Sequence, residues 1–198
     1  MRRNPQRRSL AGDEKGATLV EFAFVLPALC VLLLGIFDLG YRSYAASVLQ
    51  GALHEAARMA TVGGVTQTQI DNRVRARLSN FADASTVTIS STSYYDFAGV
   101  RQPERITTDV APLNVYNPLT DCFEDLNGNN SYDIDRGRGG LGNSEDIVRY
   151  EVSMSFPRIV PIDKFLGWTA SETITGNTVL RNQPYGARAT STREICPP

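Results

Sequence analysis

Oxygen-bearing side chains alternate along one polar segment of the chain, at a spacing that suits a divalent cation. The segment DCFEDLNGNNSYDIDRGRGGLGNSED runs from Asp121 to Asp146, and its glycine and polar content predicts a loop. Candidate ligands occupy every second position within it, and these are Asp125, Asn127, Asn129, Ser131, Asp133 and Asp135. Calcium binds mixed carboxylate, amide and carbonyl oxygens, and EF-hand loops place them at alternate positions. The pattern therefore predicts a calcium site in residues 121–146.

The match to an EF-hand loop is incomplete at two positions. Counting Asp125 as the first, position six is Asn130 where glycine is usual, and position twelve is Arg136 where glutamate is usual. Asparagine can adopt the left-handed backbone conformation that the turn requires, but losing the bidentate glutamate is more serious. Asp135 could replace that ligand only if the backbone took a different path. A solvated loop of Asx turns is therefore the alternative to a calcium site.

Residues that could form a catalytic centre are scarce. His54 is the single histidine, and no cysteine or second histidine lies at ligand spacing from it. The sequence contains no G-x-S-x-G, Walker or dinucleotide-binding pattern. The alternating carboxylates of residues 121–146 suit cation binding better than an acid and base pair. We therefore predict that the protein is not an enzyme and that His54 is a solvated helix residue.

An apolar segment near the start of the chain is long enough to cross a bilayer. Every residue from Phe22 to Phe37 is apolar or small, and residues 17–20 extend the run across Glu21. Twenty helical residues span about 30 Å, the thickness of the hydrocarbon core. Residues 1–16 carry five basic and two acidic side chains, so the positive-inside tendency keeps them cytoplasmic and exports the chain beyond Phe37. That exported part has no basic surplus, which argues against a nucleic-acid partner.

Glu21 is an ionisable side chain at the start of this apolar segment, where a charge is costly and usually functional. The simpler interpretation is that it snorkels near the helix start, favoured by the helix dipole. If the bond after Gly16 is cleaved, the α-amino group of Ala17 becomes a cation about one helical turn from this carboxylate. In an apolar bundle, such a carboxylate can pair with the α-amino group of a neighbouring subunit. The spacing thus predicts cleavage after Gly16 and a role for Glu21 in assembly.

The segment KGATLVEFAFVLP resembles class III type IV prepilins, and it is most similar to the TadE-like minor pilins, or pseudopilins, of tight-adherence (Flp) pili. The stretches HEAARMA, from His54 to Ala60, and VLRNQPYG, from Val179 to Gly186, add to the resemblance. Phe22 stands where major Flp pilins have tyrosine, which with the large C-terminal domain favours a minor subunit. The resemblance implies cleavage by a prepilin peptidase, an inner-membrane location with an extracytoplasmic domain, and incorporation among other pilin subunits for pilus assembly or adhesion.

A conventional secretory signal peptide is the rival interpretation of the apolar segment. Ser43 and Ala45 are small residues that could precede a cleavage at Ala46. The run of sixteen apolar residues exceeds the usual length of about 7–15, and such a leader has no use for Glu21. On this interpretation the protein is a secreted binding module. A membrane-anchored extracytoplasmic binding module is the corresponding alternative function if the segment is not cleaved. Calcium dependence of either module would follow only if the loop at 121–146 binds the ion.

Two of the three cysteines fall in the segment predicted to be exported. Cys122 and Cys196 form an even pair in an oxidising compartment, which predicts a disulfide that ties the polar loop to the chain end. Cys30 lies in the apolar run, where it is expected to act as a small apolar residue.

The periodicity predicts an α+β fold in which one long helix packs on an antiparallel sheet. Helical spacing of apolar and small residues continues from the membrane segment to about Val62, and a second helix is expected between Thr66 and Phe81. Alternating segments predict strands around TVTISSTSYYDF, DIVRYEVSMSF and SETITGNTVLRN. Trp168 is expected in the core. The predicted organisation is a cleaved leader 1–16, a transmembrane and stem helix 17–62, and an exported domain 63–198 with a polar loop 121–146.

Overall fold

The computed structural model describes residues 16–62, 64–160, 167–182 and 193–197, and in it the chain divides into two compact units. The first, which we name the apolar unit, contains the described residues before Tyr44 and the described residues of Arg158–Ala170. The second, the sheet unit, contains Tyr44–Pro157 and the described residues from Ser171 onward. Residues 1–15 of the predicted leader lie outside the described residues.

Within the described residues, the helices α1 and α2 come first and seven strands follow. The helices are α1 (Ala17–Val62) and α2 (Gln67–Leu78). The strands are β1 (Val87–Tyr94), β2 (Ile106–Thr108), β3 (Cys122–Asp125), β4 (Arg138–Gly139), β5 (Ile147–Pro157), β6 (Ser171–Arg181) and β7 (Arg193–Ile195). The predicted α+β class is confirmed, with one long N-terminal helix and antiparallel strands.

Helix α1 is 46 residues long and continues through Pro27. In the apolar unit its large apolar side chains are exposed, because no described part of that unit covers them. Among the described residues, α1 is the one helix that is long and apolar enough to cross a membrane. An apolar surface of this size is unfavourable in water, so it indicates a single-pass membrane anchor.

The larger sheet has the strand order β4-β1-β5-β6, and all its neighbouring strands are antiparallel. Strand β5 is central, and the five side chains predicted from its alternation to be buried are buried: Val148, Tyr150, Val152, Met154 and Phe156. These side chains project from one face, since alternate residues of a strand point the same way. The register between β5 and β6 runs without interruption from Ile147 opposite Arg181 to Pro157 opposite Ser171.

The second part of α1, from Tyr44 to Val62, packs on this sheet. Its buried side chains are small or medium-sized: Ala45, Leu49, Ala52, Leu53 and Ala56. Strand β6 approaches the helix at Gly176, where an added Cβ would lie 2.7 Å from Cδ1 of Leu53. Small residues on the helix and a glycine on the strand therefore permit the close contact between helix and sheet.

Helix α2 begins with a capping box in which Thr66 and Gln69 each satisfy the other's backbone N–H. The predicted apolar face is buried through Ile70, Val74 and Leu78, which confirms this helix. A polar contact also fixes α2, since the Tyr150 hydroxyl donates to Oδ1 of Asp71 at 2.6 Å. Burial, together with this hydrogen bond, raises the pKa of Tyr150 above its usual value.

Residues 121–146 are not the simple solvated loop that their composition predicts. They contain β3 and β4, and β3 forms a second sheet with the order β2-β3-β7. Phe123 is buried there, and the ring of Tyr132 stacks on Tyr116 with centroids 4.1 Å apart. The buried carboxylate of Asp121 accepts hydrogen bonds from the backbone N–H groups of Val110 and Asn117. Polar residues can occupy a core element here because the backbone satisfies them.

The position of Trp168 also differs from the prediction. Its side chain is 47% exposed, so it is not a core residue. It lies in the connection between β5 and β6, within the apolar unit. The prediction failed because the size and apolar character of an indole ring favour burial but do not ensure it.

Candidate functional sites

The start of α1 coincides with the cleavage site predicted from the sequence. The helix begins at Ala17, directly after Gly16. A Cβ added to Gly16 would meet no described atom within 4 Å, so the packing of the chain does not require glycine at this position. A need for glycine here would therefore have to come from something outside the fold, such as an enzyme that binds the extended backbone.

Glu21 lies on α1 four residues after Ala17, which places both on the same side of the helix, one turn apart. The side chain is exposed, and the residues around it on the helix are exposed and apolar. Within the described part of the chain no cation is close enough to form an ion pair with Glu21.

Four of the six predicted calcium ligands are brought together by hydrogen bonds. The side-chain amides of Asn127 and Asn129 both donate to Oδ2 of Asp133, at 2.7 and 2.6 Å. The buried carboxylate of Asp125 accepts the backbone N–H groups of Gly128 at 2.6 Å and Asn130 at 3.0 Å. These hydrogen bonds close the turn around the carboxylates of Asp125 and Asp133.

The turn at Asn130 has the conformation that its place in the loop predicts. Asn130 adopts a φ of 61°, in the left-handed region where an EF-hand loop has glycine. Asn127 and Asn129 form Asx turns, with Oδ1 accepting the backbone N–H two residues later. The features of both sequence interpretations, a calcium loop and a solvated Asx-turn loop, are therefore present together.

The other two predicted ligands are oriented differently. Ser131 joins the network through its backbone N–H, which donates to Oδ1 of Asn129 at 2.8 Å. Asp135 accepts the hydroxyl of Tyr94 through Oδ2 at 3.1 Å and the backbone N–H of Gly137 through Oδ1. Its carboxylate is therefore engaged with β1 and the following turn. Burial, then this hydrogen bond to Asp135, raises the pKa of Tyr94 above its usual range.

Glu104 belongs to this cluster, although no spacing pattern in the sequence identifies it. It is 2% exposed, and its carboxylate accepts the backbone N–H groups of Leu126 at 2.9 Å and Asp133 at 3.1 Å. Burial raises the pKa of Glu104, and the nearby charges of Asp125 and Asp133 raise it further, against the effect of the two hydrogen bonds. Asp125 and Asp133 therefore lie near enough to Glu104 for their charges to act on it. Glu104 precedes the loop by many residues, so spacing within the loop could not reveal it.

The two cysteines predicted to pair are bonded in the structure. Cys122 at the start of β3 and Cys196 after β7 form a disulfide, with their Cα atoms 4.2 Å apart. The register of β3 with β7, which sets Phe123 opposite Ile195, brings the two ends together. Because the bond uses both thiols, the nearby carboxylate of Glu194 has no thiolate partners for a metal site. Cys30, on α1, is exposed and unbonded.

Comparison with known proteins identifies the N-terminal segment. Residues 16–58 match the family model of the TadE-like proteins, which confirms the resemblance over this part of the chain. The match begins at Gly16 and covers most of α1, and it includes none of the strands. No match was found among curated proteins or among solved structures. Within the C-terminal stretch that also suggested the resemblance, residues 183–186 lie outside the described residues.

Proposed function

We propose that this chain, TadE-like over residues 16–58, is a minor pilin or pseudopilin of a tight-adherence type IV pilus. It is a structural subunit for pilus assembly or adhesion, and not an enzyme. A prepilin peptidase cleaves it after Gly16, and α1 holds the mature chain in the cytoplasmic membrane until it joins other pilin subunits. The sheet unit faces the extracytoplasmic side.

The observation that carries this proposal is the coincidence of three starting points. The family match starts at Gly16, the helix starts at Ala17, and the exposed large apolar side chains of the described part of α1 start at Leu19, within its first turn. Cleavage after Gly16 would leave a mature chain whose first residue is also the first residue of its membrane helix. Such a chain has no polar segment to retain on the cytoplasmic side when it leaves the bilayer.

Glu21 supplies the specificity of assembly in this proposal. After cleavage, the α-amino group of Ala17 and the carboxylate of Glu21 are the charges at the start of an otherwise apolar helix. Pairing the carboxylate of one subunit with the α-amino group of the next neutralises both in an apolar bundle. Helices that slide by one turn lose this pairing, so the ion pair sets the axial register between subunits.

The first experiment separates processing from packing with two glycine variants in one segment. Gly16→Val should leave an uncleaved precursor, since a β-branched side chain obstructs the backbone that the peptidase must bind. Gly35→Val is the matched control, because Gly35 lies in the same segment and an added Cβ also meets nothing within 4 Å. Immunoblots of membrane fractions should show precursor for Gly16→Val and mature protein for Gly35→Val.

A second pair of variants tests the role of Glu21 by measuring how much protein is incorporated into pili. Glu21→Leu should be processed, yet its content in sheared pili should fall about tenfold or more, because breaking a buried ion pair costs about 3–5 kcal/mol. Glu21→Gln preserves the size and polarity of the side chain and removes its charge. It should show the same defect, whereas normal incorporation of Glu21→Gln would contradict a role for the charge.

N-terminal sequencing of the mature protein decides between the pilin and its rival. A mature chain that begins at Ala17 supports the proposal. A mature chain that begins near Ala46, or maturation of Gly16→Val at the wild-type position, would overturn it in favour of the secreted binding module.

The second candidate function is an extracytoplasmic binding module that depends on calcium. It is favoured by the buried carboxylate of Glu104, whose pKa is raised by burial and by the charges of Asp125 and Asp133, because a divalent cation bound nearby would offset both effects. Asn127, Asn129 and Ser131 could add neutral oxygens. Asp135 is left out because its carboxylate is bonded to Tyr94 and Gly137.

Calcium should raise the melting temperature of the detergent-solubilised protein relative to protein in chelator, since an ion that binds only the folded state stabilises it. Calcium needs the ionised carboxylate, so the effect should decline as the pH falls through the raised pKa of Glu104. Asp83→Asn, a change at an exposed carboxylate outside the loop whose side chain makes no helix-cap hydrogen bond, should retain the full calcium effect, whereas Asp125→Asn should reduce it. Equal melting temperatures with calcium and with chelator would contradict calcium binding by this protein.

A further inference from the structure

In the apolar unit, an ion pair and a neighbouring tryptophan lie where the exposed apolar segment of α1 ends. Asp38 is the first charged residue after the run that ends at Phe37, and it pairs with Arg158 from the connection between β5 and β6. The side chains of Asp38 and Arg158 are 6% and 12% exposed. Trp168, in the same connection, lies against the guanidinium, with its ring centroid 5.1 Å from Cζ.

Arg158 joins three parts of the apolar unit. Its Nη1 donates to Oδ2 of Asp38 on α1, and its Nε donates to the backbone carbonyl of Thr169 at 3.0 Å. The backbone N–H of Arg158 also donates to the carbonyl of Ala170 at 3.0 Å. The guanidinium therefore fixes the described ends of the connection to each other and to the helix. The guanidinium also lies over the indole ring of Trp168.

The position of this group along α1 corresponds to a bilayer boundary. The segment from Ala17 to Phe37 spans about 31 Å in a helix, close to the thickness of the hydrocarbon core of about 30 Å. Asp38 then lies where hydrocarbon gives way to the headgroups. An ion pair without net charge can occupy this level at low cost, whereas an unpaired carboxylate would be drawn toward water.

The exposed side chains beside the ion pair also suit the boundary between hydrocarbon and headgroups. Trp168 is the only tryptophan of the chain, and about half of its side chain is exposed. Ile159, next to Arg158, is 62% exposed. Tryptophan is enriched at membrane interfaces, where the ring enters the acyl boundary while the indole N–H reaches hydrated headgroups. Exposed apolar groups of this kind are unfavourable in water and favourable in that layer.

We propose that Trp168 and Ile159, held to α1 by the Asp38–Arg158 ion pair, form a second contact of this protein with the phospholipid bilayer. The contact lies in the headgroup layer on the exported side, and it limits the tilt of the connection relative to the helix that enters the membrane. This inference rests on the membrane anchor of the proposed function and adds to it a lipid-binding surface outside α1.

The single tryptophan makes the contact measurable without a label. The full-length mature protein is reconstituted into phosphatidylcholine vesicles, with one preparation brominated near the carbonyl end of the acyl chains and another near the methyl end. Trp168 fluorescence should be quenched more strongly by the shallow bromines than by the deep ones. Iodide in the aqueous phase should quench it less than it quenches the same protein unfolded in denaturant.

Asp38→Asn tests whether the ion pair positions the tryptophan. Loss of the charge weakens the hold on Arg158, so iodide quenching of Trp168 should rise toward that of the unfolded protein and quenching by the shallow bromines should fall. Asp96→Asn is the matched control, because Asp96 pairs with Arg136 in the sheet unit at 3.0 Å. It should leave the quenching of Trp168 by iodide and by both brominated lipids unchanged.

Flotation of the vesicles, with resistance of the protein to alkaline extraction, distinguishes failure of the membrane anchor from failure of the lipid contact. Protein that does not float with the vesicles contradicts the membrane anchor and the proposed function with it. Protein that floats, but whose Trp168 is quenched fully by iodide and not by brominated lipid, overturns only the lipid contact. Shielding from iodide that arises only at high protein-to-lipid ratios, without quenching by bromines, would overturn it too, because another subunit would then cover Trp168.

Discussion

The two parts of α1 use apolar residues in opposite ways. From Ala17 to Ser43 the helix carries large side chains, among them Leu29, Leu33 and Phe37, and they are exposed. From Tyr44 to Val62 its inward-facing stripe alternates small and medium-sized residues, with Ala52 and Leu53 among those almost fully buried. The helix is continuous through both parts. The more hydrophobic part is thus the one that the described chain does not cover.

The difference shows that burial depends on shape as well as on hydrophobicity. Large side chains around the whole circumference of a helix suit a fluid hydrocarbon phase that adapts to any surface. A sheet is a fixed surface, so a helix can approach it closely only where its side chains are small and a matching gap exists. The gap is supplied by Gly176 of β6 against Leu53 and Leu49.

Truncation of one leucine in each part should give the largest contrast. Leu53 is 1% exposed, and Leu53→Ala should lower the free energy of unfolding of the sheet unit by about 2–5 kcal/mol, through lost burial and the cavity left behind. Leu33 is 45% exposed, and Leu33→Ala should leave that free energy within about 0.5 kcal/mol of the wild type. Urea denaturation of the full chain in detergent, followed by far-UV circular dichroism, measures both.

Equal destabilisation by the two variants would contradict the contrast between the parts of the helix. It would mean that the apolar segment stabilises the sheet unit as much as the buried stripe does. Membrane association provides the complementary measurement, because Leu33→Ala changes the surface presented to lipid and Leu53→Ala does not.

A smaller effect is expected from the opposite change at the same contact. Gly176→Val should destabilise the sheet unit by about 1–3 kcal/mol, because its Cβ would overlap with Cδ1 of Leu53, 2.7 Å away, and with Leu49. Gly139→Val is the matched control, since Gly139 also lies in a strand of this sheet and an added Cβ meets nothing within 4 Å. Its effect on thermal unfolding should be close to zero.

The double variant Gly176→Val with Leu53→Ala sharpens this prediction. If the two side chains compete for one space, the double variant should be less destabilised than the sum of the two single variants. Additive effects would show that Gly176 is needed for some other reason than its contact with Leu53.

Elements whose apolar residues repeat at a short, regular spacing were predicted correctly from the sequence. The five buried side chains of β5, from Val148 to Phe156, follow from strict alternation, and α2 follows from the spacing of Ile70, Val74 and Leu78. Such patterns depend on local geometry, because the period of a helix or strand is set by its own backbone. The short strands β2, β3, β4 and β7 lacked a sufficient run of residues to show any period.

The candidate sites divide in the same way. Gly16 and Glu21 form a motif within one helical turn and its flank, so their residue types and spacing could be recognised without a structure. The loop was recognised in part, through Asp125, Asn127, Asn129 and Asp133. Spacing alone groups Asp135 with the same cluster, whereas the course of the backbone brings its carboxylate to Tyr94 on β1.

The sequence by itself determined the long apolar helix, the fold class and the cysteine pair, because each depends on composition or on spacing along the chain. Cleavage at Gly16, which rests on the same kind of spacing, stays a prediction. Only the tertiary structure decided that Glu104 joins the loop, that Gly176 admits Leu53, and that Arg158 brings Trp168 to Asp38. These contacts join residues far apart in the chain. They arise from the way strands and helices pack, and that packing is a property of the whole fold which no local pattern encodes.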